Sequence, residues 1–199
     1  MSGVSTITDG LTGKTARVDN DNRLHTHSIS VPQAVGASTD GDTFFIDTGA
    51  VTLTSDNISC LLHFKNNGLE SWGIESWTAS FGATDGTGDT LNHFTFQASE
   101  GTLFSAGTQS AGLNLNFGSS NQLDADVIIG AEGLTVTDGN MINPTLIPAS
   151  TLFHLFPASP IIIAPGSSIS SAFQPPTGNT SMNVSMQLVI FRLKSECLL

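Results

Sequence analysis

The chain is poor in positive charge, in charge altogether and in several chemically useful residue types. Only 6 of its 199 residues are Lys or Arg against 17 Asp and Glu, and charged residues make up 12% of the total. Between Ile29 and Phe191, Lys65 is the only basic residue and faces 13 acidic ones. Binding to nucleic acid draws on clustered Lys and Arg, so nucleic acid is not an expected partner. Tyr is absent, which removes one general acid and one recognition side chain. The two cysteines, Cys60 and Cys197, form no disulfide framework and no CxxC metal site. The longest apolar runs, such as Ile161 to Ala164, are far short of the roughly 20 residues of a membrane helix. Met1 to Gly13 has no apolar signal-peptide core. The expectation is a protein that is made soluble and stays in the cytoplasm until it assembles or is released, with no membrane partner.

What is present points to strands. Hydrophobic residues make up 39% of the chain and the remainder is rich in Gly, Ser, Thr and Asn, the composition of short strands joined by turns. Thr43 to Asp47 and Val51 to Thr54 read as strands separated by Thr48-Gly49. Ile58 to Phe64 is nearly continuous apolar, as in a strand covered on both faces. Phe94 to Ala98 and Leu113 to Phe117 alternate with period two, and Asp124 to Ile129, Leu134 to Val136, Thr151 to Phe156 and Ser168 to Phe173 add further runs. The last strand is the clearest: Met182, Val184, Met186, Leu188 and Ile190, extending to Arg192, form one face. About ten such runs with Gly/Pro turns predict an all-β fold, an antiparallel β-sandwich. The closing order of short strand, Pro-Gly turn, strand, Pro-rich loop and long strand favours a jelly roll. Residues 1–35 differ: they are polar, relatively basic and without periodic apolar pattern. They predict an extended N-terminal arm, leaving 36–199 as the sandwich domain.

No constellation of catalytic residues stands out, and the expectation is a protein that is not an enzyme and uses no cofactor. There is no G-x-S-x-G elbow and no P-loop. Glu70 and Glu75 bracket Trp72 and precede Trp77, a composition tolerable for a sugar site if the indoles are exposed. His25 and His27 share one side of an extended segment, and around a threefold axis such pairs would supply metal nitrogens. Asp40-Gly41-Asp42 and Asp85 to Asp89 offer oxygens to Ca²⁺ without matching an EF-hand. The plainer reading of each is a packed tryptophan, a solvated histidine or an acidic turn, and no metal site is expected.

The opening segment carries a resemblance. Ile7 to Leu24 fits I-x-D-G-x-x-G-x-x-A-x-V-D-x-x-N-R-L, and it resembles the N-termini of tailed-phage virion structural proteins. The rest of the chain is similar only in style to capsid decoration (cement) proteins. The resemblance implies a homotrimer that binds the major capsid protein on the capsid exterior through its arm. The arm residues implied are Asp9, Lys14, Arg17, Arg23 and Leu24. A tail, neck or fibre-base component, or a carbohydrate- or receptor-binding module, is the alternative.

Overall fold

The computed structural model describes the backbone of residues 5–8, 15–18 and 24–25. It also describes 33–193 except 84–89, 99–105, 137–138, 149–151, 156–160 and 178–180. The chain divides into two compact units, Met1–Pro32 and Gln33–Leu199.

The first unit is not a single extended arm. Three short strands, β1 (Ser5–Thr8), β2 (Thr15–Val18) and β3 (Leu24–His25), pair antiparallel in the order β1-β2-β3. Ile7 faces Ala16 and Leu24 faces Val18 in register. These runs pair with one another although no apolar period marks them as strands.

The second unit begins with a helix, α1 (Gln33–Asp40), that no apolar periodicity announces. It is closed by a Schellman cap. The Gly41 N–H donates to Ser38 O at 3.2 Å and the Asp42 N–H to Ala37 O at 2.7 Å, with Gly41 at φ 78°. Ala37 is buried against Phe191 and Leu193.

Twelve strands follow: β4 (Thr43–Leu53), β5 (Ser59–Asn66), β6 (Ser71–Ala83), β7 (Thr90–Ala98), β8 (Thr108–Ser110), β9 (Leu113–Asn114), β10 (Ala125–Ile129), β11 (Asn140–Pro148), β12 (Leu152–Leu155), β13 (Ile161–Ile163), β14 (Ser168–Gln174) and β15 (Met182–Leu193). All their pairings are antiparallel. One sheet has the order β12-β6-β15-β4-β9, with β13 also on β6; the other has the order β11-β7-β14-β5-β10-β8. The first and last long strands are therefore neighbours, as are the second and the next to last. Residues 106–129 carry β8, β9 and β10, which extend both sheets on the same side, beyond β4 and β5.

The facing sides of the two sheets share one core, and this is an all-β sandwich. Met182, Val184, Met186, Leu188 and Ile190 of β15 are buried in it beside Phe64, Trp72, Ile74, Leu91, Val127, Ile147 and Phe173. The period-two face of β15 is thus the one the alternation predicts. β4 runs unbroken through Thr48-Gly49, where two strands were expected. A register shift opposite Met186 absorbs the extra residue, with the Met186 N–H donating to Thr48 Oγ1 at 2.9 Å. Leu134 and Val136 form no strand. They pack instead over Cys60, Phe94 and Ala172 on a second, smaller apolar cluster. Leu113 to Phe117 is strand only at its first two residues.

Candidate functional site

The residues assigned to attachment scatter in what can be described. Arg17 lies on β2 opposite Thr6 and His25, and Leu24 lies on β3. Asp9, Lys14 and Arg23, with His27, lie outside the described residues, as do Asp85 to Asp89 and Cys197. No statement about their geometry follows.

The two tryptophans do not line a sugar platform. Trp72 is 1% exposed and Trp77 3%, both inside the sandwich core. Trp72 meets Phe44 and Phe64 edge-on at 5.7 and 6.2 Å. A register shift in β6 explains this: strict alternation would put residues five apart on opposite faces, and the extra residue, the exposed Glu75, returns Trp77 to the core side occupied by Trp72.

Two histidines are buried on β5 and β7, and each is tied to a serine of β14. His63 Nδ1 is 2.7 Å from Ser170 Oγ, and His93 Nε2 is 2.8 Å from Ser171 Oγ. His93 stacks on Phe173 at 4.9 Å and meets Trp77 edge-on at 5.4 Å. Burial lowers the pKa of His93 to about 4. His63 is also lowered to about 4, by burial first and by Lys65 second. Each imidazole is therefore neutral at pH 7. Strand alternation turns His93 into the core, so its Ser-His pair faces packed rings rather than a cleft. The Cys60 thiol is also buried, which pushes its pKa up to about 12 and leaves it a packing group.

The most chemically varied surface among the described residues is a cleft of about 490 Å³ lined by Gly68, Leu69, Glu70, Trp72, Asp124 and Arg192. β15 delivers Arg192 to its floor, with the guanidinium 5.0 Å above the Trp72 ring. Arg192 Nη1 is 3.6 Å from Glu70, and Nε is 3.8 Å from Asp42 Oδ1. Asp42 is 5% exposed and also accepts from Asn121 Nδ2 at 3.1 Å. The Asp40-Gly41-Asp42 segment is thus a helix cap whose inner carboxylate balances an arginine, not a set of Ca²⁺ oxygens. Among the described residues no three His, Cys, Asp or Glu side chains gather as a metal site would need. The cleft's one cation is already shared between carboxylates, so it fits a clamp joining α1, β6 and β15 better than an anion site.

A feature the sequence reading took for an ordinary strand is more unusual. In residues 113–117 the alternation is inverted. Leu113, Leu115 and Phe117 are 55%, 38% and 85% exposed, whereas Asn114 and Asn116 turn inward. Asn114 Nδ2 donates to Gly41 O at 2.8 Å and to Asn121 O at 3.1 Å, and Asn116 Nδ2 donates to Thr39 O at 2.9 Å. Period two shows which residues share a face but not which face is covered. The nearby helix end, with its orphan carbonyls, decides for the amides.

Among the described residues no helix is long and apolar enough to cross a membrane. No protein-family model matches the chain, and neither a curated protein nor a solved structure matches it.

Proposed function

We propose that this chain is a non-enzymatic structural protein of a tailed-phage particle, a capsid decoration (cement) protein with a jelly-roll body. The jelly-roll reading is supported by strand order. Setting aside the inserted β8, β9 and β10 and counting β12 with β13, the eight framework strands run 1-8-3-6 in one sheet and 2-7-4-5 in the other. That is the order produced by rolling a long antiparallel hairpin into two sheets, an architecture used by viral capsid, lectin and cupin domains. Fold alone does not choose among those uses. The Ile7-to-Leu24 pattern is the observation that carries the choice.

In this reading the body supplies bulk and acidic surface, and the N-terminal unit attaches it to the major capsid protein. Asp9, Lys14, Arg17, Arg23 and Leu24 make the capsid and subunit contacts, with the three cations meeting acidic shell surface. Copies assembled as a homotrimer attach at several points at once, so modest contacts sum to firm binding. The protein then resides on the capsid exterior after a cytoplasmic phase. The carbohydrate-binding alternative loses its premise at Trp72 and Trp77, which are buried. A tail, neck or fibre-base position keeps the same fold and differs only in location.

The test is co-sedimentation of purified protein with particles that lack it. Deleting residues 1–28 is expected to abolish binding while circular dichroism still reports a β-rich body. Binding that survives the deletion refutes attachment through the N-terminal unit. Gold-labelled antibody on intact particles separates shell from tail.

A further inference from the structure

Residues 130–139 join β10 to β11, and three strands, β5, β14 and β7, lie between these two in the sheet. At the usual strand spacing the connection must cross roughly 19 Å. Cys60, Ala172 and Phe94 lie side by side on β5, β14 and β7 in register. Their chain neighbours Leu61 and Phe173 belong to the main core, so alternation sends the row to the outer face of the sheet. Leu134 and Val136 pack onto that row, together with Ile58, Phe96 and Ile128. Beneath them Cys60 and Ala172 are fully buried.

Two backbone bonds tie this segment to β5. The Gly130 N–H donates to Leu61 O at 2.9 Å, and the Cys60 N–H to Leu134 O at 2.6 Å. Gly133, at φ 76°, turns the chain between them, and its N–H donates to Ser59 Oγ at 3.0 Å. Glu132 is the one charged residue from Gly130 to Val136. It reaches the chain just after β4, where its carboxylate accepts from the Thr54 and Ser55 N–H groups, the latter at 2.6 Å. It also accepts from Thr54 Oγ1 at 2.9 and 3.0 Å.

We propose that residues 130–136 are a strap that opens as a unit while the sandwich stays folded, and that Glu132 is its latch. The apolar row under the strap is a cluster of its own, so uncovering it leaves the core between the sheets intact. Leu134 and Val136 are only partly buried, and the latch bonds to Thr54 lie at the surface. Segments held by little buried apolar area and by solvent-exposed hydrogen bonds open at the lowest free energies. The latch depends on a carboxylate, which accepts from all three donors at once, whereas the amide of a Gln has a single carbonyl oxygen. Opening bares Cys60, which gives the motion a chemical reporter. The inference concerns the β-sandwich alone and does not rest on its attachment to a particle.

Thiol labelling of the full-length Cys197→Ser protein with dithiobis-nitrobenzoate tests it. The reaction is run at about pH 8, where an uncovered thiol near its ordinary pKa is partly ionised. With Glu132 intact, Cys60 is expected to label much faster than the global unfolding equilibrium from urea denaturation allows. Its rate is expected to respond weakly to low urea, because opening the strap exposes little surface. Glu132→Gln is expected to raise the rate about tenfold, the order of one charge-assisted bond, with the urea midpoint unchanged. Glu75→Gln, which alters an exposed carboxylate on the other sheet, is the control and is expected to leave the rate alone. Labelling that matches global unfolding in both rate and urea slope overturns the inference, as does an unchanged rate in Glu132→Gln. A urea midpoint that falls in proportion to faster labelling also overturns it, since Glu132 would then hold the whole sandwich rather than the strap.

Discussion

Gly41 is held by two constraints at once. Its φ of 78° is a conformation that L side chains rarely adopt, and a Cβ there would lie 2.1 Å from Ser119 Oγ. Gly41→Ala is therefore expected to cost about 2–3 kcal/mol in urea unfolding, since strain at such a position adds to displacement of a neighbour. A loss under about 0.5 kcal/mol would mean that the Schellman cap is not formed in solution. Arg192 makes a second prediction. Arg192→Met keeps much of the stem over Trp72 but removes the cation from Asp42 and Glu70. The loss is expected to be about 2–3 kcal/mol, because Asp42 stays buried with its charge. Arg192→Lys is expected to fall between, as an ammonium matches neither the flat stacking on Trp72 nor two carboxylates. If Lys proves no better than Met, charge is not what the clamp supplies.

At the scale of elements, the inverted 113–117 segment predicts an inversion of the usual mutational pattern. Asn114→Ala removes donors to Gly41 O and Asn121 O and the acceptor for the Asn116 N–H, 2.9 Å away. It is expected to cost about 1–2 kcal/mol in denaturant unfolding at low protein concentration. Phe117→Ser, at 85% exposure, is expected to stay within about 0.5 kcal/mol. The opposite ranking would place Phe117 in a core. This segment also marks where sequence reading reached its limit. β5, β14 and β15 were legible because their apolar residues are buried as their spacing implies, and the all-β class followed from them. The unbroken β4 was not, because Thr48-Gly49 reads alike as a turn and as a bulge. Leu134 and Val136 read as a strand because apolar pairs pack equally well from irregular chain. The Arg192 clamp was beyond reach, since Asp42, Glu70 and Arg192 meet only once β15 lies between β4 and β6.

For the whole molecule, pH sets two effects against each other. Acidification neutralises carboxylates and relieves the repulsion implied by a net charge of -11, which favours the compact state. It also protonates histidines. His93 and His63 have folded pKa values of about 4, below the ordinary 6.5, so between these limits the unfolded chain binds protons that the folded chain refuses. Stability from this source is complete above pH 6.5 and is lost as pH falls toward 4. By pH 5 the loss is roughly 2 kcal/mol per histidine. Both buried imidazoles bind protons less well folded than unfolded over that interval, and they set the expected sign. The thermal midpoint is expected to fall between pH 7 and pH 5. His93→Gln is expected to remove about half of that slope whatever it does to the midpoint at pH 7, and His93→Gln with His63→Gln most of it. A midpoint that rises on acidification would show that charge repulsion across the acidic body outweighs both buried imidazoles.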